Sequence, residues 1–191
     1  EELTAKGHVF STETDTEVTV HLVTDYLRAG LDPVAASMAA VKRFEGAFAL
    51  VIMFRGDEDL LIGTRRGSPL AVGYGDGEMF LGSDAIALAP FTRTITYLDE
   101  GDWAVVTRES ATIYDAAGTR LLRRQGDTTT LYLGGNEISL NTVTNVVSAN
   151  RYYTHAGQTV AVRTGGSNDT LTTLISDWQG TTHHQVLNAT G

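Results

Sequence analysis

Cysteine is missing from all 191 residues. That absence excludes a disulfide scaffold, a thiolate zinc site and a cysteine nucleophile within these residues. It does not fix the compartment, because oxidising and reducing environments both tolerate a cysteine-free chain. Positive charge is scarce: 14 Lys and Arg stand against 23 Asp and Glu, for a net charge of −9. Nucleic acid and anionic membranes need a basic surface, so neither is expected as a partner. No apolar run approaches the roughly 18 residues that cross a bilayer. The longest, Ala47 to Phe54, is of strand length, and membrane insertion is not expected. No basic start leads into an apolar stretch, so no signal peptide is read. An opening Glu1-Glu2 without Met suggests a fragment or a processed chain.

What is present suits a folded, soluble domain: 42% of residues are hydrophobic and 19% charged. The length allows one generous domain or two small ones. Composition shifts near Gln125-Gly126. Beyond that point the chain holds only four acidic and two basic residues and is rich in Thr, Asn and Gly. Two parts are therefore expected, residues 1–125 and residues 126–191.

In the first part Thr14 and Glu17 have the spacing of a capping box, which predicts a helix from about Asp15. Val18, Leu22 and Tyr26 recur on one face of it, and Gly30 stops it. Asp32 as N-cap and Pro33 at the first helical position start a second helix, expected to run to about Phe44. Ala47–Arg55 and Asp59–Arg65 read as strands, the first apolar enough to be buried on both faces. Leu70–Tyr74 and Glu78–Leu81 flank Gly75-Asp76-Gly77, a hairpin signal. Ser83-Asp84 caps a short helix that Pro90 closes, and strands follow at Thr94–Leu98, Asp102–Thr107 and Ala111–Tyr114. Helices followed by this many strands imply a layered α+β domain with helices packed on mostly antiparallel sheet.

The second part reads as short strands at Thr129–Leu133, Glu137–Leu140, Val143–Ser148, Arg151–Thr154, Thr159–Thr164 and Leu171–Ile175. Turns fall at Gly134-Gly135-Asn136, Ala156-Gly157 and Gly165-Gly166-Ser167-Asn168. Polar contrast along these strands is weak, so an apolar sheet face needs some other cover.

Isolated candidates for chemistry are few. His183 and His184 are adjacent, so in a strand they point to opposite faces, and with His155 they make a poor metal site. His8 and His21 read as helix-surface or interface residues, since no fixed-spacing partner supports a triad. Gly73–Gly77 lacks the Lys-Ser/Thr of a phosphate loop, and Asp57-Glu58-Asp59 lacks the spacing of a calcium loop. Tyr152 and Tyr153 place one ring on each face of a strand, which suits packing. No cofactor and no metal are expected.

Family motifs add to this reading. Ser11-Thr12-Glu13-Thr14-Asp15-Thr16-Glu17-Val18, Gly46-Ala47-Phe48-Ala49, Arg65-Arg66-Gly67-Ser68-Pro69-Leu70, Gly82-Ser83-Asp84-Ala85 and Leu98-Asp99-Glu100-Gly101-Asp102 stand in that order. Residues 1 to about 125 thereby resemble the later half of the glutaminase domain of the glucosamine-6-phosphate synthase family. The resemblance implies part of an N-terminal-nucleophile amidotransferase sandwich. In that family an amino-terminal cysteine attacks the glutamine amide and uses its own amino group as base. The nucleophile, the carboxylate clamp and the oxyanion donors all match no residue here. Asp15 alone transfers, as the aspartate that binds the α-ammonium of glutamine. On position alone, Asp15 reads as an acidic residue favoured by the macrodipole in a first helical turn, and only the surrounding motif turns the reading to a binding role.

Thr130-Leu131-Tyr132-Leu133-Gly134-Gly135, the run from Arg151 to Arg163, and Asp177-Trp178-Gln179-Gly180-Thr181-Thr182 resemble the core region of Rhs/YD-repeat proteins. That resemblance implies a piece of a β-rich shell for residues 128–191.

The combined expectation is a glutaminase-like fragment joined to an Rhs-like β segment. On its own it has weak or lost glutamine binding and no catalysis. A complementing chain could supply the nucleophile, and exposed strand edges could drive homo-oligomers. The first part implies the cytoplasm and the second implies export, so the compartment stays unknown.

Overall fold

The computed structural model describes residues 2–166, 169–177 and 182–188. It divides into two compact units, Glu1–Arg108 and Glu109–Gly191.

The first unit opens with a short helix that the sequence did not signal, α1 (Glu2–Ala5), followed by α2 (Asp15–Arg28) and α3 (Pro33–Val41). The start of α2 is as expected but its cap is not. Thr14 sits at the N-cap with extended backbone, yet its side chain makes no capping bond. Glu17, the other half of the expected box, turns instead to Ser11 and Thr12, which together offer its carboxylate four donors. One N-cap amide cannot compete with four charge-assisted bonds. Helix α3 does begin as expected, with Asp32 Oδ1 accepting from Ala35 N at 2.9 Å. It stops short of Phe44 because the Arg43 and Phe44 amides tighten into turn bonds with the Ala40 and Val41 carbonyls.

Strands β1 (Phe48–Phe54), β2 (Asp57–Arg66) and β6 (Trp103–Val106) pair antiparallel in the order β1-β2-β6. A second sheet has the order β4-β3-β5, from β3 (Ala71–Tyr74), β4 (Met79–Gly82) and β5 (Ile95–Tyr97). Between β4 and β5 lies α4 (Ala85–Leu88), whose N-cap Asp84 accepts from Ala87 N at 2.8 Å.

One core gathers Leu3, Leu22, Val23, Ala36 and Ala40, with Ile52 and Phe54 of β1 packed against it. Helices α2 and α3 thus lie over one face of the first sheet. The expected helical stripe is only partly sunk into this core. Leu22 is buried and Tyr26 packs on it, while Val18 stays 42% exposed. On the opposite sheet face Gly63 of β2 meets Leu70 and Leu81. The result is a helix layer, a sheet and a second sheet.

The expectation that β1 is buried on both faces fails. Its residues alternate, with Phe48, Leu50, Ile52 and Phe54 turned inward, and Val51 and Met53 outward. Val51 shares the outer face with Gly63, its register partner. The second sheet covers Gly63 and leaves β1 open.

The second unit is a meander in which each strand pairs antiparallel with the next. Its strands are β7 (Ser110–Tyr114), β8 (Arg120–Gln125), β9 (Thr128–Leu133), β10 (Asn136–Asn141), β11 (Val147–His155), β12 (Gln158–Gly165), β13 (Thr170–Ser176) and β14 (Thr182–Asn188). The sequence did not signal β8 or β14. The expected strands Val143–Ser148 and Arg151–Thr154 are one strand, β11. Residues before it form a turn in which Asn141 Oδ1 accepts from Val143 N and Thr144 N, with Asn145 at φ 54°.

Register puts Leu122, Leu131, Ile138 and Ala149 side by side on one face, with Leu140 beside Val147. The other face is polar: Thr130 meets Ser139 at 2.9 Å, and the Tyr152 hydroxyl donates to Glu137 at 2.9 Å. Among the described residues of this unit no helix covers the apolar face, and Leu133 and Val147 remain about half exposed.

Candidate functional site

Asp15 stands in the first turn of α2, exposed, where the positive end of the helix dipole favours a carboxylate. The Thr16 hydroxyl lies 3.5 Å from its Oδ1. Among the described residues no Lys, Arg or His forms an ion pair with it. It lines a pocket of about 270 Å³ together with Arg43, Glu45, Ala47 and Phe48. Arg43 is engaged elsewhere, its Nη2 donating to Glu2 Oε2 at 2.5 Å. With Arg43 already paired to Glu2, the two lining carboxylates, Asp15 and Glu45, leave this pocket net negative. A cationic group is what it suits.

The Phe44–Phe48 side of the pocket is backed by a second sequence motif that meets it in space. Gly67, at φ 74°, approaches Ala47 so closely that a β-carbon there would fall 2.6 Å from the Ala47 β-carbon. Only glycine fits. Arg66 Nη1 donates to the Phe44 carbonyl at 2.6 Å, and its guanidinium lies 5.4 Å from the centre of the Phe48 ring. Glu100 closes the turn, accepting from Gly67 N at 2.9 Å and pairing with Arg65 at 3.0 Å. These motif residues shape the loop from Phe44 to Phe48.

On the other side, the Ser11–Thr14 loop leads into Asp15. Glu17 Oε1 accepts from Ser11 N and Oγ at 2.8 and 2.9 Å, and Oε2 accepts from Thr12 N and Oγ1 at 2.7 and 2.5 Å. The Ser11 amide above all, and then the Thr12 hydroxyl, hold the Glu17 carboxyl down at about 2. The Glu–Thr spacing pointed to a helix cap and missed this role. The hydroxyls of Ser11 and Thr12 just upstream are the signal that marks it.

His8 and His21 are not lone surface groups. His8 is buried, and its Nδ1 lies 3.0 Å from His21 Nδ1 while its Nε2 lies 2.6 Å from Asp25 Oδ1. Neither partnership shows in the sequence because His8 meets His21 and Asp25 of α2 only across the turn between α1 and α2.

The remaining candidates are structural where they are described. Among the described residues no three His, Cys, Asp or Glu side chains gather to hold a metal. His184 lies on β14 and the His183 side chain lies outside the described set. Asp59 accepts from Arg108 N and Glu58 from Gly56 N, so that acidic run opens β2 just after the Arg55-Gly56 turn and serves the backbone there. Gly75 donates to the Glu78 carbonyl, closing the β3–β4 hairpin. Of the Asp177–Thr182 block, Trp178–Thr181 lies outside the described residues, as do Ser167 and Asn168 of the expected turn.

Residues 1–90 match the family described as "Glutamine amidotransferase domain". The chain is similar to the glutamine–fructose-6-phosphate aminotransferase (isomerizing) of Mesorhizobium japonicum, at 62% identity over 125 residues, 65% of this chain and 21% of that protein. The corresponding protein of Bradyrhizobium diazoefficiens is 60% identical over 125 residues, again 65% and 21%. That of Gluconobacter oxydans is 57% identical over 128 residues, 67% and 21%. The chain spans about a fifth of the length of these relatives. It carries a glutamine amidotransferase-like segment, and its layered, mostly antiparallel first unit is consistent with that.

Proposed function

We propose that residues 1–125 are the later half of a glutaminase domain of the glucosamine-6-phosphate synthase type, with Asp15 as the residue that receives the α-ammonium of glutamine. The observation that carries this is the placement of a carboxylate without an ion-pair partner among the described residues, within the segment that matches the amidotransferase family, in an acidic pocket. An ammonium beside Asp15 gains Coulomb energy and charge-assisted hydrogen bonds, which orient the substrate without touching its amide.

The 191 residues do not by themselves cleave that amide. Acyl transfer needs a nucleophile and oxyanion donors. No thiol is present in this sequence, so bound glutamine is not turned over, and with no residue matching the carboxylate clamp its binding is weak. A complementing segment that carries the cysteine would complete the reaction and release ammonia. Strand β1 favours this second step, since its outer face exposes Val51 and Met53 and it pairs only with β2 among the described residues. Residues 126–191 are read as a β-rich, Rhs-like structural segment joined at Gln125-Gly126. Their one-sided apolar sheet supports a shell-like or scaffolding part.

Glutamate release from glutamine tests the reading. The expected result is no release by the chain alone. Release appears once a cysteine-starting segment is supplied, and Asp15→Ala then removes it. Turnover by the chain alone, abolished by Asp15→Ala, overturns the inactivity of the chain on its own; release by the complemented chain that Asp15→Ala leaves unchanged overturns the role of Asp15.

A further inference from the structure

We propose that Glu17 is the positioning residue of the Asp15 loop, and that a histidine pair sharing one added proton steadies Glu17. This rests on the reading of Asp15 as the ammonium site. The loop residues Ser11 and Thr12 present four donors to the Glu17 carboxylate. Thr12 Oγ1 in turn lies 2.9 Å from Thr14 Oγ1 and accepts from Thr14 N at 3.4 Å, so the clamp extends to the residue before Asp15.

Behind Glu17 runs a continuous polar line. His21 Nε2 is 3.5 Å from Glu17 Oε1, His21 Nδ1 is 3.0 Å from His8 Nδ1, and His8 Nε2 is 2.6 Å from Asp25 Oδ1. Lys6 closes it, donating to Asp25 Oδ2 at 2.9 Å. The other charged and titratable groups around the line are Glu2, which pairs with Lys6 at 3.1 Å and with Arg43, and Tyr26, which faces Arg43. The Phe10 ring packs edge-on against His21 at 4.5 Å.

Counting hydrogens along this line fixes its state. His8 Nε2 faces a carboxylate at 2.6 Å, so it carries a hydrogen. In a neutral pair His8 Nδ1 is then an acceptor, and His21 Nδ1 must donate to it. That leaves His21 Nε2 with a lone pair aimed at the Glu17 carboxylate, and it has no hydrogen-bond partner. One added proton repairs this, placing N–H and positive charge beside Glu17. A second would set two N–H groups against each other at 3.0 Å. Glu17 already has four donors, which explains why His21 stands at 3.5 Å: it supplies counter-charge more than a further bond.

The structure therefore assigns a loop lock that is tightest when the pair holds its proton and looser once it is lost. The test uses the full chain, isotope-labelled, without glutamine. Long-range proton–nitrogen spectra read the imidazole nitrogens across pH. Amide exchange, corrected for its intrinsic pH dependence, reads Ser11 and Thr12. The expected result is a pair that loses one proton in total, with His21 Nε2 as the changing atom. Protection of Ser11 and Thr12 falls about tenfold over the same range. In Glu17→Gln the imidazole change persists and the two amides stop following it. In His21→Gln their protection is low and independent of pH.

Two histidines that each take up a proton independently overturn the proposal. So does Ser11 and Thr12 protection that ignores the titration in the wild-type chain, a result that needs no variant to fold. Because no arm contains glutamine, failure to bind it counts against the ammonium site and leaves this test standing.

Discussion

Gly63 of β2 lies beneath Leu81 of β4 so closely that a β-carbon added to it would come 3.0 Å from Leu81 Cδ2. Leu70 Cδ2 would be 3.2 Å away. This is where the two sheets of the first unit touch, and the missing side chain sets their separation. Gly63→Val should therefore destabilise that unit by about 1–3 kcal/mol, as overpacking does in a filled core. Gly63→Ala should cost less, because the leucine ends can give by a few tenths of an ångström. Urea unfolding followed by tryptophan fluorescence in a Trp178→Phe background, which leaves Trp103 as the reporter, would show the order Val, Ala, wild type in rising midpoint.

The two helix starts make a paired prediction. Asp32 accepts from Ala35 N at 2.9 Å, whereas Thr14 makes no side-chain cap bond. Asp32→Ala should cost about 1 kcal/mol, the usual worth of an N-cap. Thr14→Ala should cost clearly less by the same unfolding measurement. Equal losses would mean that Thr14 caps α2 after all.

Acid should loosen the α1–α2 region in a defined window. Lys6 first, then His8, holds the Asp25 carboxyl at about 2 against an ordinary value of 3.8. Ser11 and Thr12 do the same for Glu17, from 4.5 to about 2. Both folded values are depressed, so the stabilisation is fully present above the unfolded values and disappears as pH falls through about 2. Thermal unfolding between pH 5 and pH 2 should show that decline. Asp25→Asn should flatten it, while lowering stability at pH 6 because the partners of the carboxylate remain.

Much of this was written in the sequence, and the exceptions have physical causes. Local chemistry marked the start of α2, the Asp32-Pro33 entry to α3, the Gly75-Asp76-Gly77 hairpin and Asp84 as a cap. Each depends on neighbours a few residues apart. Strand β8 was missed because Arg120–Gln125 has no clear alternation, and its place comes from register with β7 and β9. The outer face of β1 was misjudged because an apolar run reports hydrophobicity and not which neighbours exist to cover it. At the site, Asp15 was legible through its motif. Glu17 was legible as an acidic residue but not as a clamp. The His8–His21–Asp25 line was illegible because each contact joins residues at least 13 apart in sequence.

Strand edges give the last prediction. Strand β14 pairs with β13 and with no other strand among the described residues, and Val186 and Leu187 on it are 47% and 66% exposed. An exposed apolar edge presents unpaired backbone groups to a second copy, and natural sheets blunt such edges with charge. We expect the chain to sediment above its monomer mass at tens of micromolar, on the order of concentrations where exposed edges associate. Val186→Lys with Leu187→Lys should return it to monomer with an unchanged far-ultraviolet spectrum. Val147→Thr, on the apolar sheet face, should leave the association intact. If Val147→Thr dissolves it and the lysine pair does not, the face and not the edge is the adhesive surface.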